Sequence, residues 1–230
     1  MASYGLQTDA SPGCTAAPSG HAKHADPASE PLTRGIDLVL TLGALIFLAP
    51  LMLLLALLVR MSSKGPVFFK QQRVGRGGRL FSCYKFRTMR TDAEQILVEV
   101  LRNDATLREE WARDHKLRND PRLAPLGSLL RRTSLDELPQ LFNVLKGEMS
   151  IVGPRPITQS EVVRYGRYIR SYQSVRPGIT GLWQVSGRSE TTYRRRVACD
   201  VAYARGRSPL CNIQIIARTV PAVFLSRGAC

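Results

Sequence analysis

The chain is expected to be an α+β protein: an N-terminal re-entrant membrane helix followed by a small, helix-rich cytosolic domain with short strands. Three features predict this. An uncharged apolar run of 22 residues, Leu38 to Val59, is interrupted only by Pro50. A glycine-rich turn, Val74 to Arg79, separates two strand-prone segments, VFFKQQRV and LFSCYKF. Beyond residue 92, apolar positions recur mainly at helical spacing. These divide the chain into a tail at 1–33, a membrane helix at 34–62 and a cytosolic domain at 63–230.

Residues 1–33 carry Pro12, Pro18, Pro27 and Pro31 among small polar residues, with no apolar period, and read as a disordered tail. They lack the basic n-region of a secretory signal. As one straight helix at about 1.5 Å per residue, Leu38 to Val59 would span roughly 33 Å, enough for a bilayer core. Pro50 lacks a backbone donor and leaves arms of 12 and 9 residues, neither of which crosses alone. Basic residues flank both ends, Arg34 before and Arg60, Lys64, Lys70 and Arg73 after, which suits a helix with both ends cytoplasmic. A kinked spanning helix accommodates the same proline.

Charge is the dominant compositional feature: 33 Lys+Arg against 18 Asp+Glu over 230 residues give a formal net charge of +15. An apolar content of 44% excludes a wholly disordered chain. Five scattered cysteines, without any C-x-x-C pair, indicate neither a zinc cluster nor a disulfide scaffold and fit a reducing, cytosol-facing compartment. The excess of cations favours nucleic acid, an anionic membrane surface or a phosphate-bearing substrate. Nine Lys/Arg lie from Arg60 to Arg90, in a stretch without acids between Asp37 and Asp92, so a basic shelf follows the apolar run. Within it, Lys85 and Arg87 alternate and would share one face of a strand, a candidate phosphate site. Residues 92–118 hold seven of the acids and read as one amphipathic helix. After Met149 there are 13 arginines and no lysine, which favours planar recognition of phosphate or carboxylate.

Asp136 and Glu137 form the most informative pair. They lie between Arg131-Arg132 and an apolar helical pattern, Leu138, Leu141, Phe142 and Leu145, that Gly147 would end. Ser134 to Glu137 fits a capping box, so the carboxylates have a purely structural reading as well. Pro139 argues against Ser134 as the cap, because it would then be the fifth helical residue and break an internal bond. The functional reading is two adjacent carboxylates at a helix start, among arginines, which together can hold magnesium and attack a phosphate. The three histidines, His21, His24 and His115, lie in the tail and on the charged helix, away from any catalytic grouping. Pro154 and Pro156 fix the backbone around Arg155, and Arg188 follows a Gly-rich stretch from Arg176; each is a phosphate ligand or a surface residue.

The interrupted apolar run, KFRTM (Lys85 to Met89), SLDELPQL (Ser134 to Leu141), GEMSIVGPRP (Gly147 to Pro156) and RPGITGLWQVSGR (Arg176 to Arg188) resemble, in that order, the bacterial monotopic sugar transferases, which are polyprenyl-phosphate phosphoglycosyl transferases. The resemblance covers residues 34–230 and is nearest to the galactose phosphotransferases that initiate exopolysaccharide synthesis. It implies a cytosolic catalytic domain on the inner face of the bacterial inner membrane. There Asp136 attacks the sugar-bearing phosphate of a UDP-sugar and UMP leaves. Undecaprenyl phosphate then takes the phosphosugar, for downstream glycosyltransferases to extend. It further implies that Glu137 helps hold Mg2+ and that Arg155 and Arg188 handle phosphates, with Lys85 and Arg87 as additions. The family's kink is a Ser-Pro pair; here it is Ala49-Pro50. Where relatives carry Trp-Ser and a later Asp, this chain has Arg207-Ser208 and Asn212. Two other classes fit less of the chain: a spanning glycosyltransferase that releases UDP, and a membrane-tethered basic module binding nucleic acid, which the aromatic content of 7% suits poorly.

Overall fold

The apolar run forms the middle of a single long helix in the computed structural model, which describes residues 29–114, 117, 119–186 and 192–224. This helix, α1 (Ser29–Ser62), continues through Pro50. It also begins earlier than expected, taking in residues assigned to the tail. Pro31 is tolerated in its first turn, where backbone N–H groups have no intrahelical acceptor, and Glu30 complements the helix dipole there. α1 is long and apolar enough to cross a membrane. One side of its centre is bare, with Ile46 71%, Phe47 83% and Leu53 72% exposed, while Leu45, Leu48 and Leu51 pack on the apolar cluster that includes Met52.

Both ends of α1 rest on the rest of the protein. Near its C-terminus Met52, Leu55 and Val59 are buried with Phe86 and Leu130. Near its N-terminus the contacts are polar. Glu30 pairs with Arg76, Arg176 and Arg207, and Arg34 donates to the carbonyls of Val144 (2.7 Å) and Leu145 (3.0 Å).

The expected hairpin is present. β1 (Phe68–Val74) pairs antiparallel with β2 (Leu80–Phe86), Phe68 opposite Phe86 and Val74 opposite Leu80. Gly77 (φ 67°) and Gly78 (φ 77°) supply the left-handed turn between them.

The acidic stretch is two helices rather than one, α2 (Ala93–Asn103) and α3 (Ala105–Asp114). Asp104 breaks it by accepting from the N–H groups of Thr106 and Leu107, so a second helix starts there. α4 (Gly127–Thr133), a 3-10 turn (Leu135–Glu137) and α5 (Gln140–Lys146) follow, and Gly147 closes α5 at φ 81°.

β3 (Ser150–Val152) pairs parallel with β4 (Gly178–Thr180), Ser150 opposite Gly178 and Val152 opposite Thr180. Between them lie α6 (Val162–Tyr165) and α7 (Ile169–Gln173). α8 (Leu182–Val185), α9 (Tyr193–Gly206) and α10 (Pro209–Phe224) complete the domain. Ser208 accepts from Cys211 N at the start of α10. The Tyr203 hydroxyl lies 2.9 Å from both Asn212 Oδ1 and the Val152 carbonyl, and Arg207 lies 3.8 Å from Glu30, so the two departures from the family pattern make contacts within the fold.

A tyrosine-rich core joins the hairpin to α6, α7 and α9 through Val74, Ile157, Tyr165, Tyr172, Val197 and Val201. Asp200 is buried in it, 1% exposed, accepting from the Tyr165 hydroxyl at 2.7 Å. Burial pushes its carboxyl up to about 6 from 3.8. Between those values the folded protein keeps a proton the unfolded chain has lost, so stability falls as pH rises through that window. The full difference, roughly 3 kcal/mol at 1.36 kcal/mol per pH unit, is reached above about pH 6. Asp200→Asn keeps an acceptor for Tyr165 and removes the charge. Its unfolding midpoint should match the native protein near pH 4 and exceed it at pH 8.

Candidate active site

Asp136 and Glu137 occupy the 3-10 turn between α4 and α5. Ser134 precedes them at φ 57°, the one non-glycine residue with positive φ among the described residues. That left-handed residue turns the chain sharply after α4 and directs the pair towards β2. The Ser134 side chain makes no capping bond, and Pro139 is the N-cap of α5, so the carboxylates are not held as a capping box.

Lys85, near the end of β2, places Nζ 2.7 Å from Glu137 Oε1 and 3.7 Å from Asp136 Oδ2. Arg155 reaches the same Glu137 oxygen at 3.2 Å. Two buried braces make this convergence possible. Asn143, fully buried on α5, donates to Ser82 O and accepts from Tyr84 N, fastening α5 to the strand that carries Lys85. The Arg155 loop is fixed by backbone contact: a Cβ on Gly178 would lie 2.0 Å from Gly153 N, so only glycine permits β3 and β4 to approach as they do. Gly178 N donates to Pro154 O, and Arg73 donates to Pro156 O, so both prolines flanking Arg155 are tied down.

The two carboxylates have different electrostatics. Burial pushes Glu137 up, but the Arg155 and Lys85 cations outweigh it and hold the carboxyl at about 2. Asp136 is 7% exposed; burial raises its carboxyl, helped by the Glu137 charge, against the pull of Lys85, Arg131 and Arg155. Glu137 is therefore a fixed anion, and Asp136 a carboxylate of raised basicity beside it. Such a pair suits division of labour between a charge-holding group and a nucleophile.

The candidate residues separate as follows. Asp136, Glu137, Lys85 and Arg155 come together. Arg87 does not: β2 ends at Phe86, so the alternation that would align it with Lys85 lapses. Its guanidinium turns instead to the end of α1, donating to Ser63 O (2.7 Å) and Ser63 Oγ (2.9 Å). Arg188 lies outside the described residues. Pro50 lies inside α1, where its neighbours Leu48 and Leu51 share an apolar cluster with Leu135 and Leu138. Trp183, read as either core or interface, is half-buried under the Arg196 guanidinium, 5.0 Å from the ring centroid.

Arg131 belongs to the site as well. It donates through Nε to Thr88 Oγ1 at 3.0 Å and acts electrostatically on Asp136; its remaining nitrogens have no hydrogen-bond partner among the described residues. Its position beside the carboxylates in sequence was a signal, but its direction depends on the turn at Ser134.

The donor set fits magnesium. That ion takes one or two protein carboxylates with phosphate oxygens completing its shell. Glu137 Oε2 and Asp136 Oδ1 have no hydrogen-bond partner among the described residues, while Glu137 Oε1 is committed to Lys85 and Arg155.

The sequence matches known proteins over most of its length. The bacterial sugar transferase family profile matches residues 28–226. The exopolysaccharide production protein ExoY of Sinorhizobium fredii is 45% identical over 196 residues, covering 85% of this chain and 87% of that protein. The undecaprenyl-phosphate galactose phosphotransferase of Salmonella typhimurium is 47% identical over 198 residues, 86% of this chain and 41% of that longer protein. The UDP-glucose:undecaprenyl-phosphate glucose-1-phosphate transferase of Escherichia coli is 39% identical over 206 residues, 86% of this chain and 41% of that protein. With the family profile matching residues 28–226 and a relative 45% identical over 85% of the chain, the chain belongs to the bacterial sugar transferase family.

Proposed function

We propose that this protein transfers a hexose-1-phosphate from a UDP-sugar to undecaprenyl phosphate, initiating an exopolysaccharide repeat unit. The observation that carries this reading is the shared Glu137 oxygen, gripped by Lys85 and Arg155 beside a buried Asp136. With Arg131 acting on Asp136, three cations face two carboxylates, as a site for a diphosphate requires. Relatives named for transfer of galactose or glucose phosphate to undecaprenyl phosphate support the substrate classes.

Lys85 and Arg155 draw the donor's phosphates to the pair and stabilise the charge that develops there. Asp136 attacks the sugar-bearing phosphorus, and the bond from that phosphorus to the bridging oxygen of UMP breaks. UMP leaves, and a phosphosugar ester remains on Asp136. A phosphate oxygen of undecaprenyl phosphate then attacks the same phosphorus, Asp136 departs as a free carboxylate, and the lipid diphosphosugar is released. Arg131, which acts electrostatically on Asp136 and whose terminal nitrogens have no hydrogen-bond partner among the described residues, would receive one of these phosphates. Glu137 would hold magnesium, which when bound supplies further neutralisation of the diphosphate. Identifying the nucleotide product tests the reading: UMP is expected, and UDP would indicate direct sugar transfer instead.

The membrane reading is that α1 enters and leaves the bilayer on the cytoplasmic side. Its two ends dock on one body, Arg34 against α5 and Val59 against Phe86, whereas a spanning helix would put its two ends on opposite faces of the bilayer. A cysteine-reactive tag placed before residue 34 should therefore resist membrane-impermeant labelling from the periplasm in intact cells. Labelling equal to a periplasmic control would favour a spanning helix.

A further inference from the structure

The cytosolic end of a membrane helix resting on a domain would be expected to make mostly apolar contacts, yet α1 makes a polar one with the strand leading to Arg155. β3 is paired on one edge only, by β4. Ser150 and Val152 stand in register with Gly178 and Thr180, so the N–H of the intervening Ile151 points to the opposite, strandless edge. A buried N–H there would be left without a partner. Asp37, one turn beyond Arg34 and only 5% exposed, accepts it through Oδ1 at 3.1 Å, and the Ser150 side chain also hydrogen-bonds this carboxylate. One side chain of the membrane helix thus stands in for a missing strand.

This contact lies four residues before Arg155, and the intervening backbone has little slack. A Cβ at Gly153 would lie 2.4 Å from Arg176 O, and Gly178 N holds Pro154 O at 2.8 Å. A displacement of β3 is therefore passed to Arg155 rather than absorbed. Arg34, on the same stretch of α1, holds the carbonyls at the end of α5, whose other end follows Asp136 and Glu137.

We propose that Asp37 is a positioning residue: by holding the Ile151 N–H on the bare edge of β3, it sets Arg155 against the Asp136–Glu137 pair. Phosphate engagement then depends on the seating of the membrane helix. The proposal rests on the assignment of Arg155 to the donor phosphates above.

The test is donor kinetics on the full-length protein in lipid nanodiscs, with UDP-sugar varied at saturating undecaprenyl phosphate. Asp37→Asn keeps an acceptor oxygen at the same place and should retain kcat/KM within about threefold. Asp37→Ala should raise KM for the donor by roughly ten- to hundredfold with a smaller fall in kcat, as expected when a binding group is displaced by about an ångström. Should the alanine variant fail to fold, Asp37→Ser, whose hydroxyl stops short of Ile151 N, carries the same expectation. In an Arg155→Ala background the Asp37 substitution should cost little more, because both act through one side chain. Asn as damaging as Ala, an unchanged KM in the Ala or Ser variant, or full additivity with Arg155→Ala would each overturn the proposal. If Arg155→Ala alone left donor KM and turnover unchanged, the assignment of Arg155 would fall instead.

Discussion

Asp136→Asn should abolish UMP release, by roughly 10⁴-fold or more, the scale seen when a covalent nucleophile is removed. The amide is nearly isosteric with the carboxylate but cannot form the phosphosugar ester. The Lys85 and Arg155 contacts to Glu137 do not involve Asp136, so the variant should fold and still bind donor. A pH profile gives an independent reading of the same residue. Asp136 must be ionised to attack, and its carboxyl is raised by burial and by Glu137, whereas Glu137 is held at about 2. The acid limb of kcat/KM should therefore lie above the ordinary aspartate value of 3.8, with activity lost as pH falls through it. A limb reaching down towards pH 2 would assign the essential ionisation to Glu137.

Glu137→Gln should be the second most damaging change, with kcat/KM down by roughly 10² to 10³, or about 3 to 4 kcal/mol. Glutamine keeps the shape and one acceptor oxygen but removes the negative charge that balances Lys85 and Arg155. Lys85 then keeps only Asp136, 3.7 Å away, and Arg155 loses its carboxylate partner, so folding stability falls as well. Because Glu137 is also assigned to hold magnesium, the variant should require more of the metal for half-maximal UMP release, and EDTA should stop release by the unmodified protein. Reduced stability with unaltered kinetics and metal dependence would leave Glu137 a structural ion-pair partner only.

Local chemistry made much of this molecule legible from its sequence. The turn glycines at 77 and 78, the αL stop at Gly147 and the apolar run are local features, so hairpin, helix end and long apolar helix were readable. Asp136 and Glu137 stood out as a pair with a capping reading beside the functional one, and Lys85 and Arg155 were joined to them by the family resemblance. What was hidden depends on where strands end and on long-range contact. Arg87 is two residues from Lys85, but β2 stops between them, and one residue outside the ladder the face is no longer fixed. Asp104 splits a continuous amphipathic pattern with two capping bonds that periodicity does not register. Asn143 is one of three polar residues in the short helix α5, with Gln140 and Lys146, and its value as a brace appears only when Ser82 and Tyr84 are set beside it. Asp37 sits at the edge of an uncharged run, where an acid looks like the end of a membrane segment rather than a partner for a strand 114 residues away.

The most direct test is intact-mass measurement after mixing the protein with UDP-sugar and magnesium in the absence of lipid acceptor. One added hexose phosphate per chain, mapping to the peptide that contains Asp136, with one equivalent of UMP released and the adduct discharged on adding undecaprenyl phosphate, is expected. UMP formed only when the lipid is present, with no mass gained beforehand, would contradict attack by Asp136 and point to direct transfer between the two substrates.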